Sequence, residues 1–315
     1  MKVQVEVRDG PTDSYGKGRK VEMTFGELLD ADSPNHYLTT QEVPDGHLLA
    51  PPLTALSAAG QLPVRPDLMG FLVPQSINIW LGRSAAPASS GLHHDFHDNL
   101  YVLLRGRKHF RLFSPADAHH MYTAGAIASV HANGRINYLG HPPTTADGRT
   151  AEDIALSRRA CARRAQRRAE RRLSLAEEAA DAGEPGAAER LEAAEDTLER
   201  AMERSVQADN ECRRQRKLAA RATSDTAEGD GAAEGGGGAE LPPSFSRVPN
   251  LALELGELEK ADGRTEPRYP LLRSARMVEC DLSAGEMLYL PAGWFHEVSE
   301  PGARCVFCFV NAPSA

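Results

Sequence analysis

Ser90-Gly91-Leu92-His93-His94-Asp95-Phe96-His97-Asp98-Asn99-Leu100-Tyr101 is the stretch on which the reading of this chain turns. A β-strand alternates its side chains, so His93 and Asp95 project from one face and His94 from the other. His97 falls beyond the regular strand. One imidazole and one carboxylate are thus offered to a single point. A second histidine from a distant strand would complete a set of two histidines and one carboxylate. Such a facial set leaves metal positions open and suits non-haem Fe(II) oxygen chemistry. The later stretch Ala284 to His296 supplies the candidate: a strand, a turn holding Pro291 and Gly293, then His296 behind Trp294 and Phe295. A bare His-x-Asp is as readily an ordinary surface pair. Two such motifs, each embedded in strand-like sequence, argue for one another.

An Fe(II) with open positions needs an electron-supplying cosubstrate to activate O2. A dicarboxylic 2-oxo acid chelates the metal and leaves its far carboxylate in need of a cation. Lys108, beyond a turn at Gly106, is placed to point back into the same barrel as that point charge. Taken alone it reads as an exposed lysine among Arg105, Arg107 and Arg111.

Working outward, Val3, Val5 and Val7 alternate with polar residues, and Gln75–Gly82, Leu100–Leu104 and Lys108–Phe113 read as strands. Gly106 predicts a hairpin between the last two. Ala275–Leu282, Met287–Leu290 and Arg304–Val310 read as three more. Many short strands bounded by turn residues predict a mainly β sandwich or barrel.

Between about Pro142 and Leu241 the composition changes. Eight arginines crowd Arg158 to Arg172, acidic alanine-rich sequence follows, and Arg213, Arg214, Arg216 and Lys217 form a second basic cluster. Alanine, arginine and glutamate favour helix, with Gly183-Glu184-Pro185-Gly186 as a break. The apolar stripe reads as too thin to bury. The expectation is one or two solvated helices in an insert otherwise without fixed structure, ending in a linker from Gly229 to Glu240. The basic run is of a kind that binds nucleic acid or serves as a nuclear address, although a charge-rich helix needs no partner to stay in water. The domain reading is therefore 1–141 and 242–315 as two parts of one core, with 142–241 as a charged, helical or disordered insert.

The chain of 315 residues carries 36 basic and 44 acidic side chains, a net charge of -8, which excludes a uniformly basic nucleic-acid binder. It has no apolar run long enough to span a membrane, and its charged start, MKVQVEVRDG, does not resemble a secretion signal. Five scattered cysteines fit reduced thiols in the cytosol or nucleus. Cys305 and Cys308, three apart on a strand, face opposite ways and read as structural.

His93-His94-Asp95 through Leu112-Phe113-Ser114-Pro115, together with Gly285 to His296, resembles the JmjC family of 2-oxoglutarate- and Fe(II)-dependent oxygenases. Asn78-Ile79-Trp80-Leu81-Gly82, Asn99-Leu100-Tyr101 and Gly106-Arg107-Lys108-His109-Phe110 are similar to its small cupin-like members and their lysyl hydroxylase branch. Pro267-Arg268-Tyr269-Pro270 is a looser match. The likeness covers Met1 to about Tyr138 and Phe245 to the C-terminus. It implies a double-stranded β-helix (jelly-roll, cupin) core, with His93, Asp95 and His296 as iron ligands and Lys108 on the far carboxylate of 2-oxoglutarate. It further implies Ser90 on the same carboxylate, Asn99 lining the cosubstrate site, Asn311 near the distal histidine, and Tyr37 with its hydroxyl toward the cosubstrate. The implied substrate is a lysine side chain of a GTP-binding protein involved in translation. Histone N-methyl-lysine demethylation uses the same chemistry, and a non-catalytic cupin-like binding module is the alternative from another class. The resemblance also leads one to expect a helical segment ahead of the first strand, and its apparent lack in the sequence implies a chain that is truncated or starts late.

Overall fold

Val3 and Val5 bury their side chains on one face and so set β1 (Lys2–Val7) as a half-buried strand. The computed structural model describes residues 1–7, 19–31, 33–43, 48–60, 64–65, 67, 70, 72–74, 76–83, 88–228, 241–260, 267–300 and 304–312. At 83, 88, 221–228, 260, 300 and 304–312 it describes the backbone alone. The proposed linker from Gly229 to Glu240 lies outside these residues, as do the side chains of Cys305, Cys308 and Asn311. No helix among them is long and apolar enough to cross a membrane.

β2 (Arg19–Thr24) pairs antiparallel with β1 and runs into α1 (Phe25–Asp30), where Thr24 and Glu27 form a capping box. Next come β3 (His36–Leu38), α2 (Leu53–Ala58), β4 (Ser76–Arg83), β5 (Ala88–Ser89), β6 (His93–His94), β7 (Asp98–Arg105) and β8 (Arg107–Phe113). β9 (Ile127–Val130) and β10 (Ile136–Tyr138) form a separate pair. Two long helices, α3 (Ala151–Asp181) and α4 (Ala187–Glu228), precede α5 (Leu251–Lys260). β11 (Met277–Ser283), β12 (Met287–Leu290), β13 (Phe295–Glu300) and β14 (Arg304–Ala312) close the chain.

The strands make a seven-stranded sheet, β12-β7-β14-β4-β3-β1-β2, and a smaller one, β11-β8-β13-β5, with β6 also paired to β13. From β4 onward the chain keeps changing sheets: β4 in the large, β5 and β6 in the small, β7 large, β8 and β11 small, β12 large, β13 small, β14 large. That alternation is the winding of a double-stranded β-helix. Tyr101, Leu103 and Leu290 from the large sheet meet Phe110, Leu112 and Leu282 from the small one in a shared core. The outer face of the large sheet packs Ile77, Ile79 and Leu81 against Leu28 of α1 and Leu53 of α2.

The expected hairpin at Gly106 is not formed. β7 and β8 lie in different sheets, and Gly106, with φ 97°, turns the corner between them. A single residue is too short for a paired hairpin, whereas a glycine in that conformation redirects the chain sharply.

The chain divides into two compact units, residues 1–139 with 146–148 and 238–315, and residues 140–145 with 149–237. The second unit is the helical insert that the composition predicts, and it corrects one point, the stripe expected to be too thin to bury. α3 and α4 are long continuous helices, of 31 and 42 residues, broken at 182–186 and packed side by side. They do bury a stripe, and it is made of alanine. Ala155, Ala169 and Ala176 are buried along α3, with Ala162 half-buried between them. Ala187, Ala194 and Ala201 are buried along α4, with Ala208 half-buried after them. This seven-residue repeat is the seam of a coiled coil, and alanine adds helix propensity with no side-chain entropy to lose. Arg163 with Asp209 (3.1 Å) and Arg216 with Glu152 (3.2 Å) join the two helices at the surface.

Candidate metal centre

β6 is two residues long, yet its pairing is specific: His93 lies opposite His296 of β13, and His94 opposite Phe295. Residues directly opposite share a face. The imidazoles of His93 and His296 therefore emerge together, ring centroids 4.3 Å apart and tilted by 53°. Asp95 follows the strand. Its carbonyl accepts the Gly293 N–H at 2.9 Å, which ties the two ligand-bearing segments together, and its Oδ2 stands 3.7 Å from His296 Nε2. One ligand atom from each of the three residues lies within 4.8 Å of the others. A single ion could be held by all three.

The hydrogen bonds around the triad set which nitrogens face it. Carbonyl oxygens only accept, so His93 Nδ1–H donates to Gly91 O (2.9 Å) and His296 Nδ1–H to Trp294 O (3.1 Å). Both Nε2 lone pairs are left for a metal, the outer-sphere arrangement that fixes tautomer and ring orientation. Burial, with the neighbouring His93, pushes the His296 imidazole down to about 4, so it is neutral and able to ligate. Asn99 Nδ2 donates to Asp95 Oδ2 at 2.6 Å and holds the carboxylate. His296 is 3% exposed while the Asp95 side chain is 39% exposed, so the centre opens to solvent on the carboxylate side.

His94 occupies the opposite face. Its Nε2 accepts from the Tyr138 hydroxyl at 2.6 Å, its Nδ1 faces Asp95 O, and burial depresses it to about 4. It is a neutral core histidine that braces the backbone between two ligands.

The remaining predicted residues are placed unequally. Lys108 is 4% exposed on β8 and alternates with Phe110 and Leu112 on the face turned toward the large sheet. His296 pairs with Leu112, so Lys108 and His296 share that face. Asn99 is buried on β7, and its Oδ1 accepts no hydrogen bond among the described residues. Tyr37 packs over Gly82, where a Cβ would come within 2.5 Å of its ring. Through Tyr37↔Gly82, Gly82↔Cys305 and Asn311↔Asn99 it lies on the same face of the large sheet as Asn99. Ser90 serves its own neighbourhood, where its Oγ accepts the Val298 N–H (2.9 Å) and donates to Gly91 O (3.0 Å). The Asn311 backbone lies opposite Asn99.

Two contributors escaped the sequence. Phe245, just after the insert, stacks on the His93 ring at 4.6 Å and 10°, while Ser246 N–H donates to Leu92 O. Gly293, with φ 77°, lies so close to Gly134 that a Cβ would sit 1.8 Å from the Gly134 carbonyl oxygen. No local signal pairs Phe245 with His93 across the insert. The glycine of the Pro291–Gly293 turn was visible, but its partner was not.

Residues 3–311 match the cupin-like domain family. The chain is also 31% identical over 347 residues to JmjC domain-containing protein 4 of Schizosaccharomyces pombe, a likeness spanning 95% of this chain and 69% of that protein. The chain belongs to the JmjC, cupin-like family. As a family, JmjC cupins are 2-oxoglutarate- and Fe(II)-dependent oxygenases, and the triad fits that metal. Two nitrogens and one carboxylate oxygen on one side of an open position are the donor set of such iron sites. Shorter stretches resemble two other proteins. One is the lysine-specific demethylase JMJ32 of Arabidopsis thaliana, at 39% over 49 residues, 16% of this chain and 14% of that one. The other is the bifunctional peptidase and (3S)-lysyl hydroxylase JMJD7 of Homo sapiens, at 44% over 45 residues, 14% of each.

Proposed function

We propose that this JmjC protein is a 2-oxoglutarate- and Fe(II)-dependent hydroxylase acting on a lysine side chain of a protein. The observation that carries the reading is the convergence of His93, Asp95 and His296, with both Nε2 atoms turned inward by carbonyl partners. Fe(II) and 2-oxoglutarate, when bound, supply O2 activation and the oxidation of a C–H bond. The chain's own residues bind and orient. His93, Asp95 and His296 hold the metal, and Asn99 keeps the Asp95 carboxylate in place. Phe245 fixes the plane of the His93 ring by stacking. Lys108, on the inner face and held out of water, is the cation for the far carboxylate of the cosubstrate, since an ammonium in such a place favours an anion beside it. Tyr37 and Asn99 add polar groups from the large sheet. The exposed side of Asp95 is where the substrate side chain enters.

Lysine is favoured because JMJ32 and JMJD7 both carry it in their descriptions. They differ in outcome, which the test must separate. Purified full-length protein with Fe(II), 2-oxoglutarate and candidate lysine peptides should release succinate and add one oxygen atom to a peptide by mass spectrometry. Formaldehyde release from an N-methyl-lysine peptide without oxygen gain would make it a demethylase. No succinate with any peptide, and no Fe(II) bound, would leave a cupin-like binding module.

A further inference from the structure

The helical hairpin carries a groove that the oxygenase chemistry does not use. Arg168 and Arg172 on α3 face Arg200 and Arg204 on α4 across a cleft of about 410 Å³ floored by Ala165, Ala169, Thr197 and Ala201. Each pair is spaced i, i+4, so its members stand on one helix face about 6 Å apart. None of the four forms an ion pair with a carboxylate among the described residues, in contrast to Arg163 and Arg216. Small residues on the floor keep the guanidinium groups accessible, and no acidic residue lines the cleft. Arg164 extends the α3 row by one more turn. The other flank of α4 has the opposite sign: Glu195, Glu199 and Glu203 surround Leu198, Met202 and Val206. The cleft itself is lined by cations and small residues alone, with Asp196 one turn before Arg200 on α4, where its carbonyl accepts from Arg200 Nε at 3.0 Å.

We propose that this arginine groove binds double-stranded nucleic acid through its phosphodiester backbone. Three observations select this occupant. The arginines form two parallel rows over more than one helical turn, a track rather than the point pocket that a lone phosphorylated side chain needs. Arginine binds phosphate oxygens through its forked donors better than lysine does. From Leu139 to Ser244 the chain contains no Phe, Tyr or Trp. Without an aromatic platform to stack unpaired bases, single strands are disfavoured, and recognition rests on the shape and phosphates of a duplex. Binding is then independent of sequence and steeply dependent on salt, and it does not depend on the oxygenase reading.

The test uses the full chain, a fluorescently labelled RNA duplex of about twenty base pairs, and anisotropy across a salt series. Matched DNA duplex, single-stranded RNA and polyglutamate serve as competitors. Arg168→Gln, Arg172→Gln, Arg200→Gln and Arg204→Gln, combined, keep good helix formers on exposed sites. This variant should bind at least tenfold more weakly and flatten the slope of log K against log salt by about 3–4. Arginine-to-lysine replacement at the same four positions should restore most of the affinity, which a merely structural loss would not allow. Replacing the ion-paired Arg163 and Arg216 by glutamine should leave the slope unchanged. Succinate release should be the same in all variants. Wild-type protein that ignores the duplex at about 100 mM salt, or a glutamine variant that binds like wild type, overturns the proposal. Equal competition by polyglutamate overturns it in favour of an acidic protein, and preference for single strands overturns the choice of a duplex.

Discussion

The β-helix unit and the helical hairpin reach order by opposite means. The first buries large side chains, Tyr101, Phe110, Phe113, Phe295 and Met121 among them, gathered from strands far apart in sequence. The second buries alanines at every seventh residue of two helices joined by a five-residue turn, 182–186. Large side chains supply much apolar area per residue but must interlock. Alanine supplies little area, yet helix propensity, short-range contacts and close helix approach make up for it. Composition alone underrates the second strategy, because an alanine-rich charged segment scores as low in apolar content whether or not its alanines line up.

The difference also divides the chemistry. The candidate metal ligands sit where β6, the residue after it and β13 bring three ligand atoms to within 4.8 Å of one another, and the hairpin presents repeated charge on an accessible surface. Five experiments sharpen or break this division. The largest effect is expected of His93→Ala, which should remove Fe(II)-dependent turnover entirely while far-ultraviolet circular dichroism stays unchanged. Persistent turnover would move the metal elsewhere. Lys108→Ala should weaken 2-oxoglutarate binding by roughly two orders of magnitude, the scale of removing one partner from a buried charge pair. Calorimetric titration measures this, and an unchanged affinity would hand the carboxylate to another cation. Asn99→Ala should lower Fe(II) affinity about 10–100-fold by releasing Asp95 from its 2.6 Å bond. Competition against a metal-binding dye reads it.

Ala194→Leu tests the hairpin. Overpacking its seam should cost about 1–3 kcal/mol of helical stability, seen as earlier loss of helical signal on heating, with succinate release intact. The smallest effect is expected of removing residues 151–237 and joining Thr150 to Gly238 through a flexible linker. Residues 146–148 must stay, because Ala146 O accepts from Asn133 and Gly148 lies against Arg135 in the β-helix unit. Turnover should be retained. A folded deletion protein without turnover would mean that the hairpin shapes the metal centre.

Local periodicity accounts for part of what the sequence shows. His93 and His94 of β6 face opposite ways, as alternation requires, whereas Asp95 lies just past the strand and comes near His93 through the bend of the chain there. Burial of Lys108 with Phe110 and Leu112 follows from the same period of two along β8. Gly183 to Gly186 marked the break between α3 and α4, because glycine and proline interrupt a helix wherever it sits. The seven-residue alanine repeat is present in the sequence, but a seam of alanine lacks the large apolar residues by which a buried helix face is recognised.

What the sequence determined by itself, then, is the kind of chemistry and the faces from which it can be delivered. Donor types are set by residue identity, and the side a residue faces is set by backbone period. Only the tertiary structure decided which distant segments meet: β6 against β13, Gly293 against Gly134, Phe245 against His93, and Gly106 as a corner rather than a hairpin. Those meetings depend on how two sheets close over a shared core. Closure is a cooperative property of many side chains, so no short stretch of the chain encodes it.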